Sequence, residues 1–305
     1  MNPDQHQEDR HELDNGRLRA VIKAEGAELC SLRGTDGDEL LWQAGPVWPR
    51  HAPVLFPIVG RLKDDALVHG GASHRMTQHG FARDRRFSWI DQGPASCRLV
   101  LEDDGETRRI YPFAFRLEIA FALEGDSLVV WHAVSNPGTD DLPASLGVHP
   151  AFRWPLVDGI PREAHELEFE TEEPAPVRRI DMGIDKGLLM PESFPTPVEG
   201  RRLRLDDGLF EADALILDQP RSRSVRYSAP AAPAGTPTIT ISWEGFEQLG
   251  LWSKPGGDFL CVEPWYGYSS PAGFDAEFSA KPGIMRLAPG ARREFSYRVT
   301  LGRSA

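Results

Sequence analysis

The feature that most constrains this chain is a repeated, short-range alternation of apolar and polar residues. It is clearest at 117–134, where Leu117, Ile119, Phe121 and Leu123 alternate with polar or smaller residues up to Gly125-Asp126. Leu128, Val130, His132 and Val134 then resume the same period. Side chains on a strand point alternately to opposite faces, so two such runs around a tight Gly-containing turn predict a β-hairpin. The pattern returns at Ile239, Ile241 and Trp243, and again at Phe295, Tyr297, Val299 and Leu301.

Runs with helical i, i+3, i+4 spacing are nearly absent. The 29 glycines and 26 prolines are spread at intervals that suit many short strands and turns. The expectation is an all-β chain built as a large antiparallel sandwich or barrel. Residues 1–14 are polar and read as a disordered lead, with 15–305 as a single domain. The Pro/Ala-rich stretch 227–238 reads as a surface loop, being too short for an interdomain linker.

With 34 basic and 46 acidic side chains the formal charge is −12. That sign disfavours nucleic acid and anionic lipid as partners. Three cysteines, Cys30, Cys97 and Cys261, form neither a disulfide framework nor a zinc spacing. The polar N-terminus lacks a signal-peptide core, and no apolar run spans a bilayer, so a cytoplasmic location is expected.

Four segments place an ionisable residue inside an apolar or Gly/Pro-bounded run: Arg61 in HAPVLFPIVGRL, His79 with Arg83 and Asp84 in QHGFARD, His149 in SLGVHPAFRWP, and Glu263 in FLCVEPWYGY. Taken singly, Arg61 reads equally well as a strand-end surface charge, and the two histidines as structural residues beside turns. Glu263 differs, because a carboxylate among Cys261, Val262, Pro264 and Trp265 is costly to bury unless it is paired or used. Pro264, which lacks a backbone donor, points to a strand end or edge. Cys261 reads as a buried small side chain. His69, His74 and His79 have no standard metal-ligand spacing. Most of the eight tryptophans belong in the core, although Trp265, beside Glu263, is placed to stack on a sugar ring.

Together and in this order, FPIVGR, HGFARD, GVHPAF and CVEPW resemble the aldose 1-epimerase (galactose mutarotase-like) family. The resemblance extends from the early strands near Leu18 to the closing KPGIMRLAPGARREFSYRV. It implies a large β-sandwich with an open cleft on a concave sheet, the galactose mutarotase-like supersandwich. It also implies Glu263 as general base, His149 as general acid, and His79 and Arg61 as sugar ligands. A further sugar-binding aspartate falls at Asp213, with Asp218 as rival.

The implied reaction is interconversion of α and β anomers of a hexose by ring opening and reclosure, needing no metal or organic cofactor. Acid action requires a protonated His149, a state that a nearby carboxylate favours. The small-molecule partner is a sugar, with a free hexose ranked ahead of a phosphorylated one. Arg83, Arg85 and Arg86 offer a phosphate clamp for the latter, or else offset acidic neighbours. A non-catalytic carbohydrate-binding protein is the rival from another class, and a glycoside hydrolase or lyase a further one.

Overall fold

The computed structural model describes residues 9–304. Its main sheet has nine strands, in the spatial order Arg202–Arg204, Glu166–Phe169, Ser224–Ser228, Pro237–Glu244, Arg292–Arg303, Ser127–Ser135, Arg116–Glu124, Ser96–Glu102 and Ser88–Gln92. A second sheet runs Leu215–Leu217, Gln248–Trp252, Phe259–Tyr266, Leu146–Val148 and Val54–Leu55, with Ala151–Arg153 also pairing to Phe259–Tyr266. Three strands, Arg10–Asp14, Arg19–Lys23 and Glu28–Arg33, form a smaller sheet. Every pairing between these strands is antiparallel. The α-helix among the described residues is a single turn, Thr107–Ile110.

The expected hairpin forms in the expected register. Leu123 faces Leu128, Phe121 faces Val130, Ile119 faces His132 and Leu117 faces Val134, around a two-residue turn at Gly125-Asp126. Ile239, Ile241 and Trp243 likewise lie opposite Leu301, Val299 and Tyr297. These residues bury one face of the large sheet, and one contiguous apolar cluster takes members from Leu13 to Val299. Each Leu, Ile or Phe so buried contributes about 1.5–3 kcal/mol relative to exposure.

Two expectations on segment limits are corrected. The lead does not remain unstructured to residue 14: Arg10–Asp14 pair with Arg19–Lys23, and Leu13 is fully buried. The apolar Leu13 gives that strand a face to bury, which its charged neighbours conceal. Residues 1–8 of the expected lead lie outside the described residues. The stretch 227–238 is a loop only in its middle, because Tyr227, Ser228, Pro237 and Thr238 belong to flanking strands. Tyr227 is fully buried, its hydroxyl donating to the Arg153 carbonyl at 3.0 Å.

Among the described residues, no helix is long and apolar enough to cross a membrane.

Candidate active site

Strand Phe259–Tyr266 lies inside the second sheet, and residues on both of its faces are buried. Leu260 and Val262 point into the main core, whereas Cys261, Glu263 and Trp265 share the opposite face. Gly250 lies directly opposite Glu263, and the Trp265 indole occupies the space a Cβ at Gly250 would need. A bare backbone there lets the tryptophan lie beside the carboxyl.

Pro264 is neither at a strand end nor on an edge; it pairs with Leu249 inside the ladder. On its other side the neighbouring chain breaks at His149-Pro150, between Leu146–Val148 and Ala151–Arg153. Val262 donates to the Pro150 carbonyl at 3.3 Å. Pro264, two residues on, therefore has its missing N–H on the side where the ladder is interrupted. The same interruption turns the His149 side chain toward Glu263.

The two meet at 3.3 Å, Nε2 to Oε2. Both line a pocket of about 300 Å³, the size of a small-ligand site. Arg61, His79, Arg83, Asp213 and Trp265 line the same pocket, so it gathers seven of the residues singled out from the sequence. Asp218 does not line it and instead pairs with Arg178 at 3.6 Å. Asp213 sits in a left-handed turn, φ 63, with Oδ1 accepting the Ala214 N–H at 2.7 Å.

Burial raises the Glu263 carboxyl well above the usual carboxylate range, and the nearby Asp213 charge adds to this. The Trp265 N–H pulls the other way but makes no well-formed hydrogen bond. Burial also pushes His149 down to about 3, helped by Arg83 and Arg50. This corrects the expected charged histidine. Desolvation outweighs the carboxylate's attraction because Glu263 is itself kept neutral, and the pair holds its proton on the carboxyl.

His79 occupies a left-handed conformation, φ 66, and its Nδ1 accepts the Gly60 N–H at 3.1 Å. Nδ1 as acceptor leaves the proton on Nε2, and the Gln78 side-chain amide 3.3 Å away then accepts from it by turning its oxygen toward the ring. Burial, with Arg83, His149 and Arg50 nearby, lowers its pKa well below the ordinary value. His79 is thus a neutral donor. Gly60 itself has φ 72, and a Cβ there would lie 1.9 Å from Ser269 Oγ. That close approach lets the Ser269 hydroxyl accept the Arg61 N–H at 3.0 Å.

The Arg61 guanidinium forks onto Asp65 at 2.7 and 3.1 Å and donates to the Lys186 carbonyl at 3.2 Å. Arg83 is less committed. It donates to the Gln78 carbonyl at 2.6 Å, and its Nε, buried without a hydrogen-bond partner, lies 3.7 Å from Asp84. Asp84 also serves Arg50 at 2.8 Å. Burial and the Arg50 charge lower Arg83 to about 10. Arg85 and Arg86 are turned elsewhere, onto Glu106 and Asp9, and so offset acidic neighbours, the second of the two roles expected for the three arginines, which leaves only Arg83 for a phosphate.

The sequence reading missed Trp48 and Trp252. Trp48 stacks on His149 at 4.9 Å between ring centroids, and Trp252 meets the same ring edge-on at 5.6 Å. Trp252 stands opposite Cys261 in the ladder, a register that would have revealed it. Trp48 comes from a loop, held by the Trp42 indole donating to its carbonyl at 2.8 Å, and no local pattern marks it. Met182, Lys186 and Ser269 were also missed.

A family model described as aldose 1-epimerase matches residues 9–271. Protein LacX of Lactococcus lactis subsp. lactis, in its plasmid and chromosomal forms, is 31% identical over 299 residues, covering 95% of this chain and 98% of that protein. A galactose mutarotase related enzyme from Lactobacillus acidophilus superposes with a TM-score of 0.86 at 29% identity, covering 96% of this chain and 97% of that one. A galactose mutarotase-like protein from Lactobacillus casei gives 0.87 at 28% identity, covering 96% and 100%.

Proposed function

The chain belongs to the aldose 1-epimerase family, and on that premise we propose that it interconverts the α and β anomers of a hexose. The observation that carries this reading is the approach of Glu263 to His149 at the floor of a sugar-sized pocket.

Anomers exchange when the C1–O5 bond of the hemiacetal breaks, the C1–C2 bond rotates and the ring closes on the other carbonyl face. Opening removes the proton from the C1 hydroxyl and adds one to O5. Glu263 takes the first and His149 supplies the second. The pair shares one proton, resting on Glu263, and it must first cross to His149, which the 3.3 Å separation allows. Reclosure runs the same transfers backward, so the enzyme emerges unchanged. His79, through Nε2–H, steadies charge developing on O5. Asp213 accepts from a sugar hydroxyl, Arg61 donates to one, and Trp265 packs against the ring's C–H face. Each well-placed proton transfer contributes about 10²–10⁴-fold.

A free hexose is the first substrate we assign. A hexose phosphate is the second reading, and Arg83 favours it: its side chain lines the pocket and shares its carboxylate, Asp84, with Arg50, which leaves positive charge in excess there. Saturation-transfer NMR on glucose, galactose and glucose 6-phosphate tests both. Exchange above the spontaneous rate that disappears in Glu263→Gln supports epimerisation. Sugar binding without accelerated exchange would instead make the chain a carbohydrate-binding protein.

A further inference from the structure

Beside the acid–base pair lies a third group that the reaction above does not use. Cys261 precedes Glu263 by two residues on the same strand face and is fully buried against Ala151 and Phe259. One ligand atom from each of His149, Cys261 and Glu263 falls within 4.8 Å of the other two. We propose that these three side chains form a binding site for a thiophilic divalent cation such as Zn²⁺, whose occupancy blocks the pocket.

Geometry supports the fit. Zinc–nitrogen and zinc–oxygen bonds of about 2.0–2.2 Å at tetrahedral angles place the two ligand atoms about 3.4 Å apart. His149 Nε2 and Glu263 Oε2 stand at 3.3 Å. A tetrahedral zinc with a thiolate at about 2.3 Å sets the sulfur about 3.6 Å from the other two ligand atoms, so Cys261 Sγ, within 4.8 Å of them, closes by about 1.2 Å at most. Glu263 Oε2 faces His149 Nε2 and has no other polar partner, so a cation takes the place of the proton the pair shares. His149 and Glu263 line the pocket, which gives the ion its route.

The donor set names the class of ion. One thiolate, one imidazole and one carboxylate suit zinc and other borderline or soft cations, whereas magnesium and calcium demand oxygen shells. Binding releases the thiol and carboxyl protons to solvent. His149 Nδ1 has no hydrogen-bond partner, whereas a resident metal site normally anchors that nitrogen. The site therefore suits a reversible inhibitor that a chelator removes. A second trio, Glu28, Cys30 and His51, has a similar spread. There Glu28 is already ion-paired to Lys23 and accepts the backbone N–H groups of His51 and Ala52 at 2.7 and 3.0 Å, so its carboxylate is spent.

Blocking rests on the epimerase reading; binding does not, and the two are measured apart. Co²⁺ added to the full chain should give a thiolate charge-transfer band in the near ultraviolet, lost in Cys261→Ala and kept in Cys30→Ala. Calorimetry with Zn²⁺ should show binding weakened at least about 100-fold in Cys261→Ala and in Glu263→Gln. Anomer exchange by the wild type should fall with added Zn²⁺ and recover with EDTA, while whatever rate Cys261→Ala retains is insensitive. Absence of the band, or a band that survives Cys261→Ala, overturns the site whatever the protein catalyses. A band with no exchange on any sugar leaves the site standing and removes only the epimerase reading.

Discussion

Glu263 Oε2 and His149 Nε2 stand 3.3 Å apart with side-chain exposures of 1% and 8%, and each is pushed by burial toward its neutral form. Keeping the carboxyl neutral is a cost that the unfolded chain does not bear. Its folded pKa lies above the unfolded value of 4.5, so the associated stability is full below pH 4.5 and is lost as pH rises through the folded value. Glu263→Gln removes that slope. The variant should lose about 10²–10⁴-fold in anomer exchange yet gain in melting temperature relative to wild type as pH rises from 5 to 8. Parallel melting profiles for the two proteins would contradict a buried, neutral glutamate.

The pH dependence of the reaction follows from the shared proton. Resting (Glu263 protonated, His149 neutral) and reactive (Glu263 ionised, His149 protonated) forms hold the same number of protons, so interconverting them is pH-independent. Activity falls only when the pair gains a second proton, near the low His149 value of about 3, or loses its only one, above the raised Glu263 value. A profile of kcat/KM should be flat through mildly acidic pH and decline on the alkaline side. An acidic limb near 6.5 would mean that His149 titrates as an ordinary histidine.

Much of this site was legible because the chemistry sits on strands. Glu263 announced itself as a charge in an apolar run, and period-two alternation gave the hairpin register from Leu117 to Val134. What stayed hidden depends on contacts far apart in sequence. Nothing local separates Arg83 from Arg85 and Arg86, which differ only in reaching Glu106 and Asp9. Trp48 finds His149 through a loop. The protonation of the pair was misjudged for a related reason: burial is a property of the assembled pocket, and it reversed what a neighbouring carboxylate alone would do.

Gly60 links two walls of the pocket. Its N–H sets the His79 tautomer, and its α-carbon lies where a Cβ would strike Ser269 at both Oγ and backbone. Gly60→Ala combines a left-handed alanine, about 1–3 kcal/mol, with a backbone clash. The expected result is a melting temperature lower by several degrees, with exchange reduced beyond the effect of stability because His79 moves. Chemical denaturation at constant pH, paired with exchange at saturating sugar, checks both. A fully stable, fully active variant would show that the turn relaxes freely.

Arg83 decides between the free and the phosphorylated sugar. A hydrogen bond to a charged group is worth about 1.5–3 kcal/mol, so Arg83→Met should raise KM for glucose 6-phosphate about 10- to 150-fold if its guanidinium holds the phosphate. KM for glucose should change little. Equal changes for both sugars would place Arg83 on a hydroxyl common to them and return it to a role beside His79.

Lys281 buries its amine away from the reacting groups. Its Nζ donates to the carbonyls of Tyr268 at 2.5 Å and Pro282 at 3.2 Å, and burial lowers its pKa to about 7. Between pH 7 and about 10.5 the unfolded chain binds a proton there that the folded chain does not, so stability gains from rising pH across that window. Lys281→Met abolishes this gain. Relative to wild type the variant should therefore be most stable at or below pH 7 and lose ground as pH approaches 10. The hydrogen bond to Tyr268 also fixes the residue before Ser269, whose hydroxyl receives the Arg61 N–H, so the variant should show a higher KM for sugar with kcat preserved. A stability difference that stays constant from pH 6 to pH 10 would mean that Lys281 keeps its charge in the folded chain, and that its two carbonyl partners suffice to hold an ammonium in the interior.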